Sequence, residues 1–121
     1  MRLFERLRSM TATPDADEAV ELRTRADELG VDLIGDTVDR TVVEVCGVAR
    51  STTHPPVGSG PPAQVVQLFD GSGDLDVVWL GRRAIPGIRP GVYLRVRGRV
   101  QAQPRRRVMY NPAYEIIPGL V

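Results

Sequence analysis

The stretch Gln64–Arg83, QVVQLFDGSGDLDVVWLGRR, decides the fold. Two runs rich in β-branched and aliphatic residues, Val65–Phe69 and Leu75–Leu80, flank Asp70-Gly71-Ser72-Gly73. That cluster can reverse the chain and supply the positive φ angles of a tight connection, so the stretch reads as a β-hairpin. Both runs are apolar at most positions, which places the pair near the centre of a curved sheet rather than at a solvated edge.

Outward from the hairpin the chain continues as strands. Val42, Val43, Val45, Cys46 and Val48 form a first run, in which Gly47 marks a bulge or bend. The segment Ser51–Ala63 holds four prolines and two glycines and reads as a long loop. Beyond the hairpin, Pro90-Gly91 opens a fourth strand, Val92–Val100. Its parity sets Val92, Leu94, Val96 and Val100 on one face and Tyr93, Arg95, Arg97 and Arg99 on a solvent face. The turn Gln101–Arg107 ends in three arginines, and a last strand, Val108–Ile117, is interrupted at Asn111-Pro112, where proline implies an edge or a bulge.

The N-terminal segment reads as helical. Leu3, Phe4, Leu7 and Met10 fall at helical spacing. Thr13-Pro14-Asp15 resembles an N-cap followed by proline in the first turn, and opens a second helix. Ala19, Leu22, Ala26 and Leu29 form its narrow apolar stripe, and Gly30 stands where a C-terminal cap ends it. A stripe this thin must pack on the β-domain or on a second copy of the chain.

The expected architecture is mainly β: a five-stranded Greek-key barrel of the OB type, spanning 37–121, preceded by one or two short α-helices in 1–36. An SH3-like barrel is the rival topology. At 121 residues and 42% hydrophobic, the chain suits one domain with one core. No run approaches a membrane span, and MRLFERLRSM is charged where a signal peptide is apolar, so a cytoplasmic location is expected. Cys46 is the single cysteine, which excludes an internal disulfide and a cysteine-rich zinc site.

The net charge of +1 conceals an asymmetry. Residues 1–44 carry 6 Arg against 11 Asp and Glu, whereas residues 45–121 carry 10 Arg against 4. The β-domain is therefore the basic part, with a charge balance suited to phosphate. All 16 basic residues are arginine, for which a GC-rich genome is the simplest cause.

Four segments in order, VVEVCGVARS, QLFDGSGDLDVVWLGRR, IRPGVYLRVRGRV and RVMYNPAYEII, resemble OB-fold nucleic-acid-binding proteins of the tRNA-anticodon and RecG-type helicase-wedge kind. They look closest to small actinobacterial proteins in which a short helical segment precedes such a barrel. The resemblance covers Arg40–Ile117. The wedge domains carry a histidine and a glutamate around the final proline, where this chain has Asn111, Pro112 and Ala113. The resemblance implies binding of single-stranded or structured nucleic acid with little sequence specificity.

OB barrels bind across strands two and three, between the loop joining strands one and two and the loop joining strands four and five. Arg50 and His54 stand at the first loop, Arg105, Arg106 and Arg107 at the second, and Arg82 and Arg83 at the end of strand three. These are the candidate phosphate contacts. Trp79 and Tyr110 are the candidate stacking residues, although the parity of Trp79 with Leu75 and Val77 equally suits the core.

Catalytic readings fail on inventory. One histidine and one cysteine lie in separate elements with no carboxylate motif beside them, and a P-loop lysine is impossible in a chain without lysine. Asp70–Asp76 begins like a calcium loop but lacks its glycine and terminal glutamate, so the turn reading is preferred. The expected role is a non-catalytic binding module without cofactor or metal. The alternative is an adaptor that docks a protein partner through the barrel or the acidic helices. A homodimer through those helices is compatible with both.

Overall fold

The computed structural model describes residues 16–82 and 84–118. A helix, α1 (Ala16–Leu29), is followed by a short 3-10 turn at Ile34–Asp36 and then by strands β1 (Val42–Thr53), β2 (Ala63–Phe69), β3 (Asp74–Leu80), β4 (Tyr93–Gln103), β5 (Arg106–Tyr110) and β6 (Ala113–Ile117). The amphipathic segment at residues 3–10 and the Thr13-Pro14 cap lie outside the described residues.

The hairpin forms as its turn chemistry requires. β2 and β3 pair antiparallel from Ala63 opposite Leu80 to Phe69 opposite Asp74. Asp70 builds the turn. Its carboxylate is wholly buried and accepts from the Ser72 N–H at 2.9 Å, the Ser72 hydroxyl at 2.6 Å and the Gly73 N–H at 3.2 Å. The other oxygen accepts from the Ile34 N–H at 2.8 Å, and the Gly35 N–H donates to Ser72 Oγ at 2.9 Å. The turn thus ties the hairpin to the 3-10 segment 36 residues earlier. Gly71, at φ 90°, lies so close to α1 that a Cβ there would overlap the Ala19 carbonyl.

β1 is the long strand that bends. Val42–Val48 pair with β4 and Val48–Thr53 with β2. The register shift falls between Ala49 and Ser51, at Arg50, rather than at the expected Gly47. Gly47 instead permits a close approach: a Cβ would stand 2.9 Å from the Phe69 carbonyl oxygen. The strand also runs three residues into the expected loop, because Ser51, Thr52 and Thr53 still find partners in Gln67, Val66 and Val65. The break comes at His54-Pro55, where proline removes the next donor.

β3 pairs in parallel with β5, β5 antiparallel with β4, and β4 with β1. The closed order β1-β2-β3-β5-β4 is that of the OB barrel, not of the SH3-like alternative. The expected fifth strand is divided: β5 and β6 lie along the same strand β4, with Met109 opposite Val100 and Ala113 opposite Arg97. One residue of slip is absorbed at Asn111-Pro112. Asn111 adopts φ 49°, donates its N–H to the Val78 carbonyl at 2.7 Å and accepts the Leu80 N–H on Oδ1 at 2.8 Å. Asparagine tolerates this left-handed conformation better than other non-glycine residues. Replacing Asn111 with alanine is expected to reduce stability by about 1–2 kcal/mol, from lost bonding and strain together. Glycine should restore the conformational part, and equal urea midpoints for the two variants would contradict this account.

The barrel interior holds Val45, Val66, Leu68, Leu75, Val77, Trp79, Leu94, Val96, Val100 and Met109, closed at its ends by Ile34 and by Ile85 and Ile88. Gln64 seats the connection before β4, its Oε1 accepting the Ile85 N–H at 2.7 Å. A second layer lies outside. The α1 residue Leu22 packs with Cys46 and Tyr93, flanked by Leu29, Val31, Val48, Phe69 and Ile117. Gly30, at φ 73°, ends α1 with the Gly30 N–H on the Asp27 carbonyl and the Val31 N–H on that of Ala26, a Schellman arrangement. The parity reading of β4 is corrected at one position: Tyr93 is 2% exposed, because α1 lies across that end of the strand.

Burial in this layer pushes the Cys46 thiol from its ordinary 9.0 up to about 11, against the opposing charge of Arg95. The same burial, with Cys46 beside it, drives the Tyr93 hydroxyl above its usual range. Above pH 9 the unfolded chain releases the Cys46 proton while the folded chain retains it, so the folded state is progressively disfavoured up to about pH 11. The urea midpoint is expected to fall between pH 8.5 and 10.5, and the fall should be smaller in Cys46→Ala. A wild-type midpoint that stays level, or an equal fall in the variant, would contradict this.

Candidate nucleic-acid interface

The outer face of β2, β3 and β5 follows from strand parity. With Leu75, Val77 and Trp79 turned inward, β3 presents Asp74, Asp76, Val78 and Leu80 outward. Register then sets Gln67, Asp76 and Val108 in one row, and Val65, Val78 and Tyr110 in the next. The face has two halves. Towards the β1–β2 loop it is apolar: Ala63, Val65, Val78 and Val108 form a cluster, with Leu80 and Tyr110 exposed at 53% and 43%. Towards the β4–β5 turn it is polar, a groove of about 380 Å³ lined by Gln67, Asp74, Asp76, Gln103 and the run Pro104–Arg107.

The charges in the groove are mixed. Arg106 Nε donates to Asp76 Oδ2 at 2.7 Å. Burial, with Asp76 next in effect, shifts the Asp74 carboxyl upward; Arg50 opposes the shift and Asp70 adds to it. The side chains of Gln67, Asp74, Gln103 and Arg105 have no hydrogen-bond or ion-pair partner among the described residues.

The residues proposed from sequence divide into three groups. Arg105, Arg106 and Arg107 come together at the groove, as three consecutive residues must, but only Pro104 and Arg105 form the turn; Arg106 and Arg107 open β5 because they pair with Gln103 and Ala102. Arg107 is half-buried, with Nη2 donating to the Gly35 carbonyl at 3.1 Å. Tyr110 lies exposed on the same face. Arg82 and His54 are exposed beyond the ends of β3 and β1, and Arg83 is outside the described residues.

Two residues are engaged elsewhere. Arg50 forms an ion pair with Glu18 of α1 at 2.6 Å and lies over the Phe69 ring, 4.8 Å from its centroid. Trp79 is removed as a stacking platform. It is 5% exposed, its indole N–H donates to the Pro112 carbonyl at 3.3 Å, and Tyr114 meets its ring edge-on at 5.4 Å. A buried indole needs a partner for its N–H, and the kinked final strand supplies one.

Sequence reasoning missed Gln67, Asp74, Asp76 and Gln103. The signal was present in β3, whose carboxylates alternate with Leu75 and Val77, but it becomes a site only once β4 and β5 bring Gln103 and the arginines alongside. Among the described residues no helix is long and apolar enough to cross a membrane, and no cluster of ligands suits a metal ion.

No protein-family model matches the chain, and no significant match is found among curated proteins. Solved structures do match. The replication factor A related protein from Methanobacterium thermoautotrophicum aligns with TM-score 0.55 at 16% identity, covering 73% of this chain and 91% of that one. The HINb domain of p204 aligns with TM-score 0.59 at 16% identity, over 77% of this chain and half of that one. A replication protein A heterotrimer bound to single-stranded DNA gives 0.50 at 17% identity, over 75% of each chain. The likeness is one of fold. At these identities it adds independent support for the OB barrel already read from strand order.

Proposed function

We propose that this barrel is a non-catalytic nucleic-acid-binding module that takes single-stranded or structured DNA or RNA along the outer face of β2, β3 and β5. The observation that carries the reading is the juxtaposition, on one face, of the Arg105–Arg107 run with the exposed ring of Tyr110. Guanidinium groups contact phosphate, and an exposed aromatic ring offers a base a stacking surface that contributes about 1–3 kcal/mol. Arg82 extends the positive charge past the end of β3. The resemblance to a replication protein A assembly solved with single-stranded DNA supports the same reading.

The test is fluorescence anisotropy of labelled single-stranded DNA, single-stranded RNA, duplex and a branched junction at two salt concentrations. Affinity is expected to fall steeply with salt, because each neutralised phosphate releases a counterion. Failure to bind any of the four at low salt would overturn the reading.

A second reading, docking of a protein partner, is favoured by the pairing of Arg106 with Asp76 and by the apolar exposure of Leu80. It predicts no oligonucleotide binding and a partner that co-purifies in fixed ratio.

A further inference from the structure

We propose that the groove at the β4–β5 turn selects guanine within a bound single strand, an inference that rests on the nucleic-acid reading above. The argument is one of matching inventories. A carboxylate only accepts hydrogen bonds and a guanidinium only donates them. A ligand for Asp74 and Arg105 together must therefore present N–H donors and oxygen or nitrogen acceptors on neighbouring edges.

Phosphate meets only half of this requirement. It suits the arginines but is repelled by Asp74 and Asp76, which stand across the same groove. The strand's backbone is therefore directed to the arginine rim and its bases towards β3. Among the bases, thymine and uracil offer a carboxylate one ring N–H, while adenine and cytosine offer one amino group. Guanine alone sets two donors side by side, N1–H and the 2-amino group. Its O6 and N7 are the acceptors that arginine reads most often. These edges are open in a single strand, where recognition uses both the Watson–Crick and Hoogsteen sides.

The groove has the form this requires. Its volume of about 380 Å³ lies in the range of pockets that hold small organic ligands. Gln67, Asp74, Gln103 and Arg105 line it with side chains that have no hydrogen-bond partner among the described residues, whereas Asp76 already holds Arg106. The assignment gives Asp74 the N1–H and 2-amino donors and the turn arginines O6 and N7. Tyr110 stands at the end of β5, outside the groove lining, and is available to the neighbouring base.

The experiment compares labelled twelve-residue strands in which thymine alternates with guanine, inosine, adenine or cytosine, read by anisotropy at one low salt concentration. Inosine keeps O6, N7 and N1–H and lacks only the 2-amino group. The guanine strand is expected to bind about tenfold more tightly than the inosine and adenine strands, in keeping with one bidentate contact. In Asp74→Asn, checked for native circular dichroism, the guanine-to-inosine ratio should fall to near one. Equal affinity for guanine and inosine strands, or a guanine preference that survives Asp74→Asn, overturns the assignment while leaving nucleic-acid binding intact. A preference for the cytosine strand overturns it in the same way. Binding to none of the strands removes the nucleic-acid reading and this inference with it.

Discussion

Replacing Asp70 with alanine is expected to cost the fold about 3–5 kcal/mol, the largest stability effect of any single side chain considered. The carboxylate is fully buried, yet it accepts four hydrogen bonds: from the Ile34 N–H, the Ser72 N–H and hydroxyl, and the Gly73 N–H. Each bond to a charged acceptor contributes on the order of 1.5–3 kcal/mol, and each buried N–H left without a partner costs about 1–3, with the effects less than additive. The loss spreads beyond the turn, because Ile34 closes one end of the core and Arg23 of α1 holds the Gly71 carbonyl at 3.0 Å. Thermal unfolding should fall by roughly 10–20 °C in a chain of this size. Asparagine at position 70 keeps one acceptor oxygen and should lose about half as much. A loss below about 1 kcal/mol for Asp70→Ala would show that the turn is held by its backbone alone.

The second large effect concerns binding. Removing Arg105 and Arg106 together is expected to weaken single-strand affinity by about 10- to 50-fold at low salt. The plot of log affinity against log salt should also become shallower, by about 1.4 for two lost phosphate contacts. These two are chosen because Arg107 also donates to the Gly35 carbonyl, so its removal would confound binding with folding. Arg106→Ala alone has two opposing consequences: it removes a cation and releases Asp76 from its ion pair. An unchanged salt slope in the double variant, with the barrel folded, would move the phosphate path away from the β4–β5 turn. Loss of affinity without change of slope would mark a structural rather than an electrostatic role.

The Cys46 and Asn111 expectations probe layers that the binding face does not include. Alkaline destabilisation reports the packing of α1 over Cys46 and Tyr93, and the Asn111 series reports the slip between β5 and β6. Both can be measured on the folded protein without any ligand.

What the sequence determined by itself was whatever depends on neighbours along the chain. Asp70–Gly73 specified the hairpin turn, the alternation in Leu75–Trp79 and Leu94–Val100 specified which side chains face inward, Gly30 specified the end of α1, and Asn111-Pro112 specified the break in the last strand. Turn conformations, strand parity and helix caps are set within a few residues, so their signals are local. The tertiary structure alone decided the rest. It buried Tyr93 under a helix that begins 77 positions earlier, gave Trp79 its partner in Pro112, and turned Arg50 towards Glu18. It also set Asp74 and Asp76 opposite the arginines of the β4–β5 turn, making a mixed groove where the sequence suggested a purely basic rim. Parity fixes the side of a strand on which a residue stands, but only barrel closure fixes what stands across from it. The chemistry of this face is a property of β3 and β5 meeting in parallel, a contact with no periodic trace in the chain.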